Sequence, residues 1–139
     1  MINPIKFICF VDDDEDDHYL MQQILVELFP NILLKEFYTC GDLLDFLQNE
    51  TNPLPDLIIL DQNLPKLTGT ECLQKIKSIG RLLHIPVIIY STGTSERERE
   101  DAKRFGAYKC LAKQKTLQES RILIGELILE VAGNQQRKS

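Results

Sequence analysis

Basic residues are in short supply here. Sixteen Lys and Arg stand against twenty-one Asp and Glu, giving a net charge of −5 and a pI near 5.0. A nucleic-acid surface needs a basic stripe, so a direct role on DNA or RNA is not expected. Long apolar runs are missing too: none approaches the ~18 residues of a membrane-spanning helix, and no membrane association is expected. The four cysteines (Cys9, Cys40, Cys72 and Cys110) form no C-x-x-C pair. That spacing argues against metal-binding and disulfide frameworks, and reduced thiols in a cytosolic, cytoplasmic protein are expected. The start carries no signal-peptide pattern, because Met1, Ile2, Asn3 and Pro4 lead straight into a short apolar run. There is no internal repeat, and 139 residues suit one domain with a full core.

What is present is a set of short apolar runs punctuated by turn residues. Leu57, Ile58, Ile59 and Leu60 run without alternation, the pattern of a strand covered on both faces. Pro53 and Pro55 precede this run, and Pro65 lies in the turn beyond it. A similar run spans residues 7–11, and another spans 86–90. Residues 32–37 predict a more polar edge strand, and residues 108–112 a last strand. Between them lie helical patterns. The acidic run 12–17 opens a helix through Tyr19, Leu20, Ile24, Leu25 and Leu28, since acids in a first turn suit the helix dipole. His18 is expected on the surface of that helix. Residues 41–47 place Leu43, Leu44 and Leu47 on one side. Capping boxes at Thr68/Glu71, Ser95/Glu98 and Thr116/Glu119 open three more helices. Gly106 is expected to end the fourth helix in a left-handed conformation. The domain is expected to cover residues 1–133, with 134–139 a frayed polar tail.

Strands alternating with helices through short loops imply right-handed crossovers and a parallel sheet. The expected fold class is α/β, a doubly wound five-stranded parallel sheet with flavodoxin-like strand order 2-1-3-4-5. Its switch point falls between the strands ending at Val11 and Leu60. Asp12 and Asp13 then meet Asp61 in one crevice. Carboxylates 4 Å apart repel by roughly 4 kcal/mol per pair at an effective dielectric of 20. Something positive should therefore fill the cleft, either Lys113 at the end of the last strand or a hard divalent cation such as Mg²⁺. Ser91 adds a hydroxyl from the fourth strand. A nucleophilic carboxylate, a metal site and donors for developing charge are the parts of phosphoryl transfer.

Taken together, these residues resemble a response-regulator receiver domain of two-component signalling. The likeness rests on Val11-Asp12-Asp13, the run from Asp56 to Asp61 with Pro65 and Gly69, Pro86 to Ser91, and Gly106-Ala107 followed by Lys113. The resemblance covers essentially the whole chain. It implies that Asp61 takes a phosphoryl group from the phosphohistidine of a sensor histidine kinase or phosphotransfer protein. It also implies Mg²⁺ held by Asp13, Asp61 and the backbone carbonyl of Asn63, with Asp12 acting partly through water. Ser91 and Lys113 would contact the phosphoryl oxygens. Such a domain is itself modified and is not a turnover enzyme.

Three positions depart from the family's pattern. Thr68 replaces an acid before Gly69, Gln114 follows Lys113 in place of a proline often in a cis bond, and Cys110 replaces the switch aromatic. Cys110 has no ring to move, which shifts attention to Tyr108 on the same side of the strand by alternation, and to the last helix. That helix is rich in large apolar residues, and a homodimer or partner surface is expected on the face formed by the last two helices and the strand between them. A haloacid dehalogenase would need a second acid where Asn63 stands, and the phosphate loop of flavodoxins belongs after the first strand. The remaining rival is a degenerate receiver that binds partners without phosphorylation. No residues after the fifth helix suggest a DNA-binding output, so a stand-alone receiver is expected.

Overall fold

The structure, a computed structural model, describes residues 3–138. Five strands, β1 (Phe7–Val11), β2 (Leu33–Phe37), β3 (Leu57–Leu60), β4 (Val87–Ser91) and β5 (Lys109–Ala112), form one parallel sheet in the order β2-β1-β3-β4-β5. Helices α1 (Glu15–Leu28) and α5 (Leu117–Lys138) cover one face. Helices α2 (Cys40–Gln48), α3 (Gly69–Lys77) and α4 (Glu96–Arg104) cover the other. The expected topology is the observed one.

Burial explains why each strand sits where it does. Every residue of β1, β3 and β4 is buried, as unbroken apolar runs require, whereas β2 alternates and lies at the edge. Phe10, Ile59, Ile88 and Ile124 fill the α1/α5 layer, and Cys9, Ile58, Leu73 and Ile89 fill the other. The capping boxes at Thr68 and Ser95 form in full, each hydroxyl accepting from the third-residue N–H and each glutamate accepting from the cap N–H. Gly106 has φ +102°, the left-handed conformation that ends α4.

Several expectations are corrected. Residues 134–138, expected as a tail, are helical: α5 continues through Lys138, and Asn134 Nδ2 donates to the Tyr108 hydroxyl. Ser139 lies outside the described residues. Tyr19 is exposed, and the apolar stripe of α1 runs instead through His18, Met21, Ile24 and Leu25. His18 is therefore a core residue, 2% exposed, rather than a surface one. Cys40 and Cys72 form a disulfide across 32 residues, joining the first turns of α2 and α3. A search for local cysteine spacing cannot find such a pair, because two crossovers bring it together. Cys9 and Cys110 remain free. Tyr108 does not share a face with Cys110: it precedes β5, packs with the α1/α5 layer and reaches Asn134, while Cys110 packs on the opposite side. Alternation holds only within the strand, and Tyr108 is outside it.

Candidate phosphoryl-acceptor site

The register of the sheet builds the site. Val11 pairs with Leu60, so the residues that follow both strands, Asp12 and Asp61, emerge side by side at the carboxyl edge. Asp61 N–H donates to the Val11 carbonyl, and Asp12 N–H donates to the Phe37 carbonyl, which closes the sheet beneath them. Asp12 is fully buried and Asp61 nearly so, while Asp13 is exposed. One oxygen from each of these three carboxylates lies within 4.8 Å of the others. Hard carboxylate oxygens at that separation are the donor set a Mg²⁺-type cation prefers.

Lys113, just past β5, reaches over this edge. Its Nζ donates to Asp12 Oδ2 at 2.7 Å, Asp17 Oδ2 at 2.8 Å and Asp61 Oδ2 at 3.3 Å. Burial alone would lower the lysine's pKa, but the hydrogen bonds to Asp12 and Asp17, with the charges of Asp12 and Asp61, outweigh it and hold it above the usual range. Burial likewise pushes Asp12 up to about 6, against the opposing pull of Lys113 and the Asp14 N–H. The cleft thus keeps its ammonium charged and makes one of its carboxylates reluctant to ionise.

Ser91 ends β4 completely buried, and its Oγ accepts from Asn63 Nδ2 at 3.3 Å. Asn63 N–H points back to Asp61 Oδ1 at 3.3 Å. All the residues expected at the site (Asp12, Asp13, Asp61, Asn63, Ser91 and Lys113) therefore converge on one edge. No peptide bond among the described residues is cis, so Lys113-Gln114 is trans.

Three participants were not anticipated. Asp17 was grouped with the acids of the first helical turn, yet it is the second partner of Lys113. Gln62, nearly buried, accepts from Thr70 N–H and Oγ1–H and donates to Glu98 Oε2 at 2.9 Å, tying the Asp61 loop to α3 and α4. His18 binds the Asp12 backbone. The spacing of His18, Met21 and Leu25 (i, i+3, i+7) carried that signal, since it is the stripe a buried helix face shows.

Gly69 sets the distance between α3 and the acceptor loop. Its N–H donates to the Gln62 carbonyl, and a Cβ there would fall 2.9 Å from Gln62 Cα and nearer still to the Asp61 carbonyl oxygen.

Residues 8–124 match the family profile of the response regulator receiver domain. Response regulator Rcp1 of Synechocystis is 37% identical over 101 residues, covering 68% of this chain and 67% of Rcp1. Stress response regulator protein 1 of Meyerozyma guilliermondii is 28% identical over 96 residues, 69% of this chain but only 43% of that longer relative. Among solved structures, the Mn²⁺-bound form of Rcp1 superposes with a TM-score of 0.80 at 29% identity, covering 88% of this chain and 91% of that one. The phosphorylated cyanobacterial phytochrome response regulator RcpA gives a TM-score of 0.82 at 27% identity over the same shares. With the profile spanning most of its length and the acidic edge assembled, this chain belongs to the response regulator receiver domain family and is a phosphoryl-accepting receiver of two-component signalling.

Proposed function

We propose that Asp61 is the phosphoacceptor, taking the group from the phosphohistidine of a sensor histidine kinase or phosphotransfer protein. The observation that carries this reading is the position of Asp61: nearly buried at the end of β3, with Lys113 at 3.3 Å and the Asp12/Asp13 pair beside it. An Asp61 oxygen forms the new P–O bond as the P–N bond breaks, and the electron pair of that bond returns to the donor's imidazole ring. Mg²⁺, held by Asp12, Asp13, Asp61 and the Asn63 carbonyl, would offset the charge on the transferring oxygens. Lys113 donates to the phosphoryl oxygens by giving up part of its present set of carboxylate bonds. The Ser91 hydroxyl exchanges its Asn63 contact for another oxygen of the same group. Water later hydrolyses the aspartyl phosphate to the free Asp61 carboxylate and inorganic phosphate, so the chain acts as a signal and not as a turnover enzyme.

Downstream, the altered surface binds a protein partner. The face formed by α4, β5 and α5 is the output and homodimer surface in this reading, supported by the Gln62–Glu98 bond from the acceptor loop to α4. Ile122 and Leu129 also stand exposed on α5, but on its α1 side, beyond Gly125 and away from Glu130, so they lie outside this face. In this reading the exchange occurs in the cytoplasm. Among the described residues no helix is long and apolar enough to cross a membrane. Acetyl phosphate with Mg²⁺ should add one phosphoryl group by intact mass. Asp61→Asn should add none, and an unchanged gain in that variant rejects the assignment.

A further inference from the structure

The peptide between Asp12 and Asp13 carries both members of the acidic pair, one at each end. Its carbonyl oxygen can only accept, and His18 Nε2 lies 2.7 Å from it, so Nε2 bears a proton and donates. The ring that makes this bond is fixed on every side. Nδ1 lies 2.9 Å from Glu36 Oε1 on β2, and Gln22 Nε2 donates to both oxygens of the same carboxylate. Phe10 meets the ring edge-on with centroids 5.0 Å apart, and Tyr38 covers it at 4.3 Å.

We propose that His18 is a positioning residue for the cation site: by fixing the rotation of the Asp12-Asp13 peptide, it aims both carboxylates into the cleft. Asp12 has other restraints, since its N–H donates to Phe37 and its Oδ1 accepts from Asp14 N–H at 2.9 Å. Asp13 is exposed and follows directly from the carbonyl that His18 holds. Without the bond, that peptide is free to turn, and Asp13 swings out of register with Asp12 and Asp61. Outer partners of this kind set ligand geometry, and losing one typically weakens metal binding by about 10- to 100-fold.

The inference rests on the metal reading above, and the test separates the two. His18→Phe keeps a ring between Phe10 and Tyr38 but removes both nitrogens. His18→Gln restores a side-chain N–H donor. Titrating each folded protein with magnesium chloride alone by calorimetry should show about tenfold weaker binding in His18→Phe. His18→Gln should recover most of the wild-type affinity. In metal-free protein the Asp14 amide should exchange faster in His18→Phe than in His18→Gln, because the turning Asp12-Asp13 peptide carries the Asp14 N–H away from the Asp12 carboxylate that accepts it. A purely structural role lowers the melting temperature of both variants but leaves the Mg²⁺ affinity of the folded protein unchanged, and that result overturns the proposal. Equal weakening in both variants also overturns it, because ring shape would then matter and the bond would not. Metal-free wild type supplies a check that needs no variant: a slowly exchanging Nε2–H resonance of His18 is expected, and its absence removes the bond on which the proposal stands. If wild type binds no Mg²⁺, the metal reading fails and this proposal fails with it.

Discussion

Lys113 crosses the sheet edge to Asp12, Nζ to Oδ2 at 2.7 Å, although 101 residues separate them. The lysine side chain is 11% exposed and the Asp12 side chain is fully buried, so neither charge has water to fall back on. Removing one partner of such a pair leaves an uncompensated buried charge and typically costs about 3–5 kcal/mol. Asp17 and Asp61 lose the same ammonium. Lys113→Met should therefore lower metal-free stability by roughly 3 kcal/mol in denaturant titration. Millimolar Mg²⁺ should recover more stability in this variant than in wild type, because the cation takes over neutralisation of the acids. Equal stability of the two proteins in EDTA would show that the lysine does not neutralise the cleft.

Asp12 makes stability depend on pH in an unusual direction. Burial raises its folded pKa to about 6, above the ordinary carboxylate value of 3.8. The folded state then holds a proton that the unfolded chain has already released between those values. The contribution is present below pH ~4 and is lost as pH rises through ~6. A gap of about two units corresponds to roughly 3 kcal/mol. Melting of the metal-free protein should show this loss across that window, and Asp12→Asn should flatten it. An identical pH profile in Asp12→Asn would assign the proton elsewhere.

The fold was legible because its signals were local and repeated. Unbroken apolar runs marked β1, β3 and β4, alternation marked the edge strand β2, and two capping boxes fixed the starts of α3 and α4. The acceptor edge was legible for the same reason: each of its residues sits at a strand end, and strand order brings strand ends together. What escaped were the pairings that depend on rotation about a helix axis. Asp17 and His18 are neighbours in one acidic run, yet Asp17 turns towards Lys113 and His18 into the core beneath Asp12. The Cys40–Cys72 pair and the inward turn of Tyr108 towards α5 were hidden likewise, because they arise where elements pack and not within one element.

The disulfide gives a chemical test. Cys40 and Cys72 are both buried, and closing a loop of this length stabilises a fold by about 3–4 kcal/mol in the chain-entropy account. Such bonds are uncommon in a reducing cytoplasm, so the thiol count carries information about the compartment as well as the fold. The denatured, unreduced protein should titrate as two free thiols, Cys9 and Cys110. Burial pushes the Cys9 thiol up to about 12, so it should react slowly while the protein is folded. Cys40→Ser should lower stability to nearly the level of the reduced wild type. Four titrating thiols would return the chain to the fully reduced state that its cysteine spacing first implied.

Gly69 offers a sharper test of how the acceptor loop is held. The helix α3 starts at this residue, and its bare Cα lets the helix terminus lie against the backbone of Asp61 and Gln62. A methyl group at that point meets backbone atoms, which cannot swing aside as a flexible side chain would. Overpacking of this kind typically costs about 1–3 kcal/mol, and here the yielding element is the acceptor loop itself. Gly69→Ala should therefore lower stability by that amount and also slow phosphoryl uptake from acetyl phosphate. Gly133 in α5 supplies the matched control, since a Cβ there meets nothing within 4 Å. In a helix interior, alanine is favoured over glycine by about 0.5–1 kcal/mol, so Gly133→Ala should stabilise and leave uptake unchanged. If Gly69→Ala behaves like Gly133→Ala, the close approach of α3 to Asp61 does not constrain the acceptor.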